Sequence, residues 1–172
     1  NRTCPPAVLG GVLMLLLGVV TPSEAWDYIN FEVILQLAGM MMLTASLQYC
    51  GFFEIVVDFL MRRFDGRRRF LSGVMAITAC LSAVMLNDAV VLIFTPIVLR
   101  CCQRMRADPV PYMVGVFVSA NIGSAATVVG NPQNALVASM AGIGFLDYSI
   151  RVIPLTVICM AVAMLMMRRM GG

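Results

Sequence analysis

From Phe70 to Leu99 the chain runs for thirty residues with one ionisable group, Asp88, and arginines crowd both ends of the run. A straight helix of that length would reach about 45 Å, well past a hydrocarbon core of about 30 Å, and would leave a positive cluster on each side of a membrane. Positive loops collect on the cytoplasmic side, so a single crossing fits this charge pattern badly. A chain that turns back at Asn87-Asp88 keeps both clusters on one side, with arms of about 17 and 11 residues that reach the midplane. The expectation is a re-entrant hairpin over 70–100. Its tip should face a binding site, because irregular backbone survives at that depth only when buried in protein or lining a cavity. A tilted or kinked span with Pro96 at the kink is the competing reading.

Composition supplies the membrane that this reading requires. Hydrophobic residues make up 60% of the 172 and charged residues only 12%, against about a quarter charged in an ordinary soluble domain. Histidine and lysine are absent, and arginine clusters at 62–69, 100–106 and 168–169 sit at the joints between apolar runs. A net charge of +3 with no basic stripe interleaved with aromatics excludes a nucleic-acid partner. Six cysteines without a C-x-x-C pair, in a chain without histidine, give no metal site, and no cofactor is expected beyond Na+ or H+ as a coupling ion. Cys101-Cys102 reads as a pair of small core residues. With no histidine, no paired acids and no nucleophile beside a base, the chain is not read as an enzyme.

Along the chain the pattern predicts an all-α integral membrane protein: one membrane domain, 1–172, of about four transmembrane helices plus the hairpin. Ala7 to Val20 is a short first span, with a signal peptide cleaved near Ser23 and Ala25 as the alternative. The arginine-free loop Thr21 to Asn30 falls outside, with Trp26 and Tyr28 at the interface. A second span, Phe31 to Leu47, carries Glu32 and Gln36 near its outer end. In 51–64, Glu54, Asp58 and Arg62 recur every fourth residue on an otherwise apolar helix, the pattern of an interfacial amphipathic helix. A broken helix over 111–144 is interrupted by Gly123, Gly130 and Pro132, and its second half runs from Pro132 to Met140. The last span, Ile150 to Met167, ends at Arg168-Arg169, leaving both termini cytoplasmic in a cell membrane. Asn1 in first place suggests a fragment or a processed product.

Two constellations carry chemistry. Leu86-Asn87-Asp88-Ala89 puts a carboxylate at the expected hairpin tip, where its cost makes it a coupling or ligand group by default, or else a protonated acid packed between helices. Ser119 to Asn134 is dense in neutral hydrogen-bonding side chains. Gly123 and Gly130 relax its backbone, and Pro132 suits the first residue of a new half-helix. Amides freed there, aided by the helix dipole, can hold an anion. The oxygens of Asn121, Ser124, Thr127 and Asn131 suit a sodium ion, and Asn134 adds one more amide. Small polar residues also serve as helix-packing glue, which accounts for Ser-Ala-Ala-Thr taken alone.

At these motifs the chain resembles the ion transporter superfamily, in its citrate transporter-like branch with arsenite permeases and divalent anion symporters. The matching residues are Asn87 to Ile97 for the hairpin, and Ala120 to Ser124 with Gly130 to Asn134 for the broken helix. The resemblance implies an inverted repeat, each half giving one hairpin tip and one broken helix to a shared midplane site, usually in a homodimer that moves like an elevator. One hairpin and one break correspond to the first repeat alone, so a second repeat or second copy would complete the site. Sodium-coupled dicarboxylate transporters carry Ser-Asn-Thr at the tip, where this chain has Leu86-Asn87-Asp88, a departure that favours proton coupling. The function expected is secondary transport of a small anion, a carboxylate or an oxyanion such as arsenite, coupled to H+ or Na+. The alternatives are a sodium-proton antiporter of the same superfamily and a non-transporting membrane module.

Overall fold

The computed structural model describes residues 5–27, 29–63 and 66–170, and within them every regular element is a helix. Asn1 and Tyr28 lie outside these residues. In order the helices are α1 (Pro5–Leu16), α2 (Pro22–Asp27), α3 (Phe31–Tyr49), α4 (Phe52–Arg63), α5 (Arg67–Val84), α6 (Asn87–Met105), α7 (Pro109–Ser124), α8 (Pro132–Ala141) and α9 (Phe145–Met170).

Local chemistry sets most of the boundaries. Asn30 and Asp108 cap α3 and α7, accepting from the amides of Val33 at 3.2 Å and Val110 at 3.0 Å. Pro109 and Pro132 open α7 and α8, where a missing amide costs nothing. Gly142, at φ 64°, closes α8 with Ile143 N donating to Ala138 O at 2.9 Å. The same motif corrects the first expected span. Gly18 sits at φ 68° and Val19 N donates to Met14 O at 3.1 Å, so α1 stops at Leu16 and does not run to Val20. Its 12 residues reach about 18 Å, short of a crossing.

The long run from Phe70 folds back on itself. Arg67, at the start of α5, donates from Nη2 to the carbonyl of Arg106, just past α6, at 3.0 Å. The outer ends of the two arms therefore meet, and the arginine clusters share one end of the molecule. The reversal is not at Asn87-Asp88. It falls at Met85 and Leu86, both extended, and Asn87 and Asp88 form the first turn of α6. Asn and Asp serve helix starts as well as turns, and a carboxylate in a first turn complements the dipole, so the reversal falls two positions earlier than the turn propensity of these residues suggests. The arms are also longer than expected, 18 and 19 residues, because α6 continues through Pro96 and past Arg100 to Met105.

Helices α5, α6 and α7 share the core, around Phe70, Val74, Met75, Val90, Phe94, Val98 and Val116. α4 joins it through Phe53 and Val57, with the Phe53 ring edge-on to Phe94 at 6.0 Å. Polar ends are tied too: Tyr112 Oη donates to the carbonyl of Arg67 at 3.1 Å.

By contrast α1, α3 and α9 expose apolar side chains over most of their surface: Leu9, Leu16, Leu35, Met42, Leu155 and Leu165 are each more than 60% accessible. Among the described residues, only α3 and α9 are both long and apolar enough to cross a membrane unaided, and just 11% of each apolar window is buried within the chain. Apolar surface on this scale needs lipid or further protein against it.

Candidate functional site

The hairpin tip and the broken helix meet. Gly123 allows it, because α5 and α7 are in backbone contact there. A Cβ on Gly123 would stand 2.3 Å from the carbonyl oxygen of Ala79 and 2.6 Å from its Cα. One turn on, buried Ser82 donates to Ala120 O at 2.7 Å, and Thr127 donates from its hydroxyl to Ala83 O. Past Ser124 the chain leaves the helix and returns at Gly130, which lies against the carbonyls of Ser124 and Ser82 so closely that its Cβ would meet them at 2.5 and 2.7 Å. There the amide of Asn87 donates to Gly130 O at 3.2 Å, joining the first residue of α6 to the residue two before α8.

Breaking a helix at this depth leaves carbonyls without amide partners, and side chains replace them. Asn134 reaches back from α8 and spends both amide hydrogens, on Ser124 O at 3.0 Å and Thr127 O at 3.1 Å. Ser124, buried, donates to Asn121 O at 2.9 Å. Thr127 Oγ1 also accepts the amide of Gly130 at 3.2 Å. The hydrogens of Ser124 and Asn134 are thus committed to the break itself, and that of Thr127 to Ala83 O near the end of α5.

Other capacity stays open. Asn87, 8% exposed, donates from Nδ2 to Asn121 Oδ1 at 3.3 Å, and among the described residues its Oδ1 accepts nothing. Asn121 holds its own position by donating to Phe117 O at 2.8 Å. Neither Leu86 nor Asn131 supplies a side-chain cap to the helix it precedes, so α6 and α8 present uncapped first turns on either side of the Asn87–Gly130 bond. Each N-terminus carries roughly half a positive charge from its aligned peptides. The structure thus gathers Asn87, Asn121, Gly123, Ser124, Thr127, Gly130, Asn131, Pro132 and Asn134 around one junction. Asp88 is adjacent in sequence but exposed, with no hydrogen bond among the described residues.

Sequence reasoning missed three members of the junction on α5, Ala79, Ser82 and Ala83. The signal for the alanines was the small-residue spacing Ala76, Ala79, Ala83, which lets a second backbone approach closely. The five described cysteines are free thiols, and Cys101 and Cys102 are buried.

Comparison with known proteins places this geometry in a family. The citrate transporter family model matches residues 5–171. The silicon efflux transporter LSI3 of Oryza sativa is 31% identical over 161 residues, 94% of this chain and 33% of its own length. The 46 kDa membrane protein of Mycobacterium leprae is 30% identical over 175 residues, covering 99% of this chain and 41% of that one. The putative transporter arsB of Dictyostelium discoideum is 31% identical over 142 residues, 83% of this chain and 25% of its own. The chain thus spans between a quarter and about two fifths of these relatives. With nearly its whole length matched, the chain belongs to the citrate transporter family of membrane transporters.

Proposed function

We propose that this chain forms one side of the binding site of a secondary transporter for a small anion, with H+ or Na+ as the coupling ion. The observation that carries the reading is the pair of uncapped helix N-termini, α6 and α8, held side by side by the Asn87–Gly130 bond. The bond brings the two first turns next to each other, and Asn121 beside them offers a neutral amide whose own hydrogen bonds fix its direction. A carboxylate or an oxyanion suits such donors.

Within this reading the residues divide by role. Asn87, Asn121 and Asn131 touch the ligand or its coupling ion, while Gly123, Ser124, Thr127, Gly130, Pro132 and Asn134 build the break that presents them. Asp88, exposed beside the tip, is the coupling group, its negative charge facing what a further repeat or second copy supplies. The remaining features follow from the same reading: a cell-membrane location with both termini cytoplasmic, and a homodimer. Relatives named as a silicon efflux transporter and a putative transporter support transport of a small solute and leave the choice among citrate, dicarboxylate and arsenite to assay.

The test is flux of labelled citrate, succinate and arsenite into proteoliposomes, with and without Na+ and pH gradients. Asn121→Ala should cut transport at least about tenfold, the scale of one or two lost hydrogen bonds to a charged ligand, while leaving the helical content unchanged. Unaltered flux of all three solutes in that variant would remove the junction from the transport path.

A further inference from the structure

At the arginine-rich end of the hairpin, α4 and α6 enclose a groove of about 190 Å³ lined by Glu54, Val57, Asp58, Ile97, Arg100, Cys101 and Arg104. Its charges are sorted by helix. α4 gives two carboxylates one turn apart and α6 gives two guanidiniums one turn apart. Among the described residues none of the four is held in an ion pair or a hydrogen bond. Asp58 and Arg104 are both near enough to act electrostatically on the buried Cys101 thiol at the groove's floor. Val57 and Cys101 make that floor, 2% and 4% exposed.

The sorting restricts what fits. A bare phosphate suits the arginines but meets two carboxylates across the gap, and a bare amine meets two guanidiniums. A group with a cation and an anion a few ångströms apart satisfies both walls at once. The groove's position narrows the source. It lies beyond the apolar length of the hairpin arms, at the end where Arg67 meets Arg106, so it stands at headgroup level beside a bilayer. The outward face of α4 carries Ile55 and Phe59, 67% and 59% exposed, which continue the groove into apolar surface.

We infer that this groove binds the headgroup of an aminophospholipid, with the phosphate between Arg100 and Arg104 and the ammonium toward Glu54 and Asp58. Two guanidiniums one turn apart can give the phosphate several charge-assisted hydrogen bonds, and a primary ammonium returns N–H donors to the carboxylates. A choline headgroup has the same charges but no N–H to donate, so the site prefers ethanolamine. Lipid held there ties α4 to the second arm of the hairpin and fixes the arm's depth in the membrane.

To test this, the purified protein is stripped of lipid in detergent. It is titrated with phosphatidylethanolamine, phosphatidylcholine and phosphatidylglycerol of one acyl composition, and with soluble phosphoethanolamine. Thermal unfolding and retained phospholipid by native mass spectrometry are read together. The wild type should bind the ethanolamine lipid about tenfold more tightly than either other lipid, the scale of one charge-assisted hydrogen bond. The pair Glu54→Gln with Asp58→Asn should erase that preference and still bind all three. The pair Arg100→Gln with Arg104→Gln should bind none of them well. Equal affinity of the wild type for the three lipids overturns the assignment without any variant being needed. So does binding of soluble phosphoethanolamine as tight as that of the lipid, which marks a site for a dissolved phosphate ester. Loss of stability in both pairs without lipid, joined to indifference of the wild type to lipid, shows that the four charges only pair with one another.

Discussion

Replacing Gly123 with alanine adds one methyl group where two backbones already touch. The new Cβ would stand 2.3, 2.6 and 2.7 Å from the O, Cα and C of Ala79, against ordinary contact from 3.4 Å. Relief requires α5 and α7 to separate by about 1 Å, and no side chain can yield instead, because all three atoms are backbone. Forced overpacking of this kind costs about 1–3 kcal/mol. Separation would also stretch the Ser82–Ala120 and Thr127–Ala83 bonds that flank the contact, at about 1 kcal/mol each. Against this, alanine gains up to about 1 kcal/mol over glycine in a helix. The net expectation is a destabilisation of about 2–4 kcal/mol, read as a shifted midpoint in reversible SDS unfolding from mild detergent. Gly115→Ala is the internal control. Its Cβ would meet side-chain atoms only, Leu71 Cδ1 at 3.1 Å and Met75 Cγ at 3.2 Å, which need to give by only a few tenths of an ångström, so the change should be about 1 kcal/mol or less. Adding Ala79→Gly to Gly123→Ala should not rescue it, since the offending atoms are not the alanine's methyl. A Gly123→Ala midpoint within about 0.5 kcal/mol of wild type, or full rescue by Ala79→Gly, would refute the close-contact argument.

Three further changes probe the junction. Gly130→Ala places a methyl 2.5 Å from Ser124 O and 2.7 Å from Ser82 O, so it should break the Asn87–Gly130 bond and abolish stabilisation by added anion in thermal unfolding. Asn134→Leu keeps the volume and removes both donors, leaving the Ser124 and Thr127 carbonyls bare. The expected loss is about 1–3 kcal/mol in the same SDS titration, with Asn134→Gln recovering part of it. Asp88→Asn should alter the pH dependence or coupling of proteoliposome flux. It should shift unfolding by less than about 1 kcal/mol, because an exposed first-turn carboxylate contributes only its dipole interaction. Normal pH-dependent flux in that variant removes Asp88 from coupling.

How legible this was in the sequence depended on whether the signal was local. The reversal of the long run could be argued from charge, since arginine clusters at both ends of an apolar stretch forbid one simple crossing. The Arg67–Arg106 contact joins those ends. The position of the reversal was misjudged because Asn87 and Asp88 serve turns and helix starts alike, and only the tertiary bond from Asn87 N to Gly130 O decides between them. The first span was overextended for a similar reason. Apolar content continues to Val20, but Gly18 in the left-handed region ends the helix, and hydropathy does not register φ. Ala79 escaped notice because it acts through backbone atoms that any residue has. Ser82 escaped because its partner, Ala120 O, is 38 residues away.

The composition of the break has a physical logic that also bears on the proposed site. A helix interrupted where no water reaches must find a donor for every freed carbonyl. Here Ser124 and Asn134 supply them, and Thr127 does the same for Ala83 O near the end of α5, so much of the polarity that marks 119–134 as a site serves to make the interruption tolerable. What is left for a ligand is small: the amides of two first turns and the side chains of Asn87, Asn121 and Asn131. No described arginine belongs to this junction; the described arginines cluster at 62–69, 100–106 and 168–169, with Arg151 in α9. Two helix termini at about half a charge each amount to about one unit of fixed positive potential, part of which the Asp88 carboxylate in the first turn of α6 offsets. Such a site holds a monoanion without neutralising it firmly, and a more highly charged anion would retain uncompensated charge in a poorly polarisable surrounding. Occupancy by a dianion should therefore require a cation taken up alongside it, which is the thermodynamic form of coupling. Affinity for a dianion should then rise with the concentration of that cation more steeply than affinity for a monoanion does.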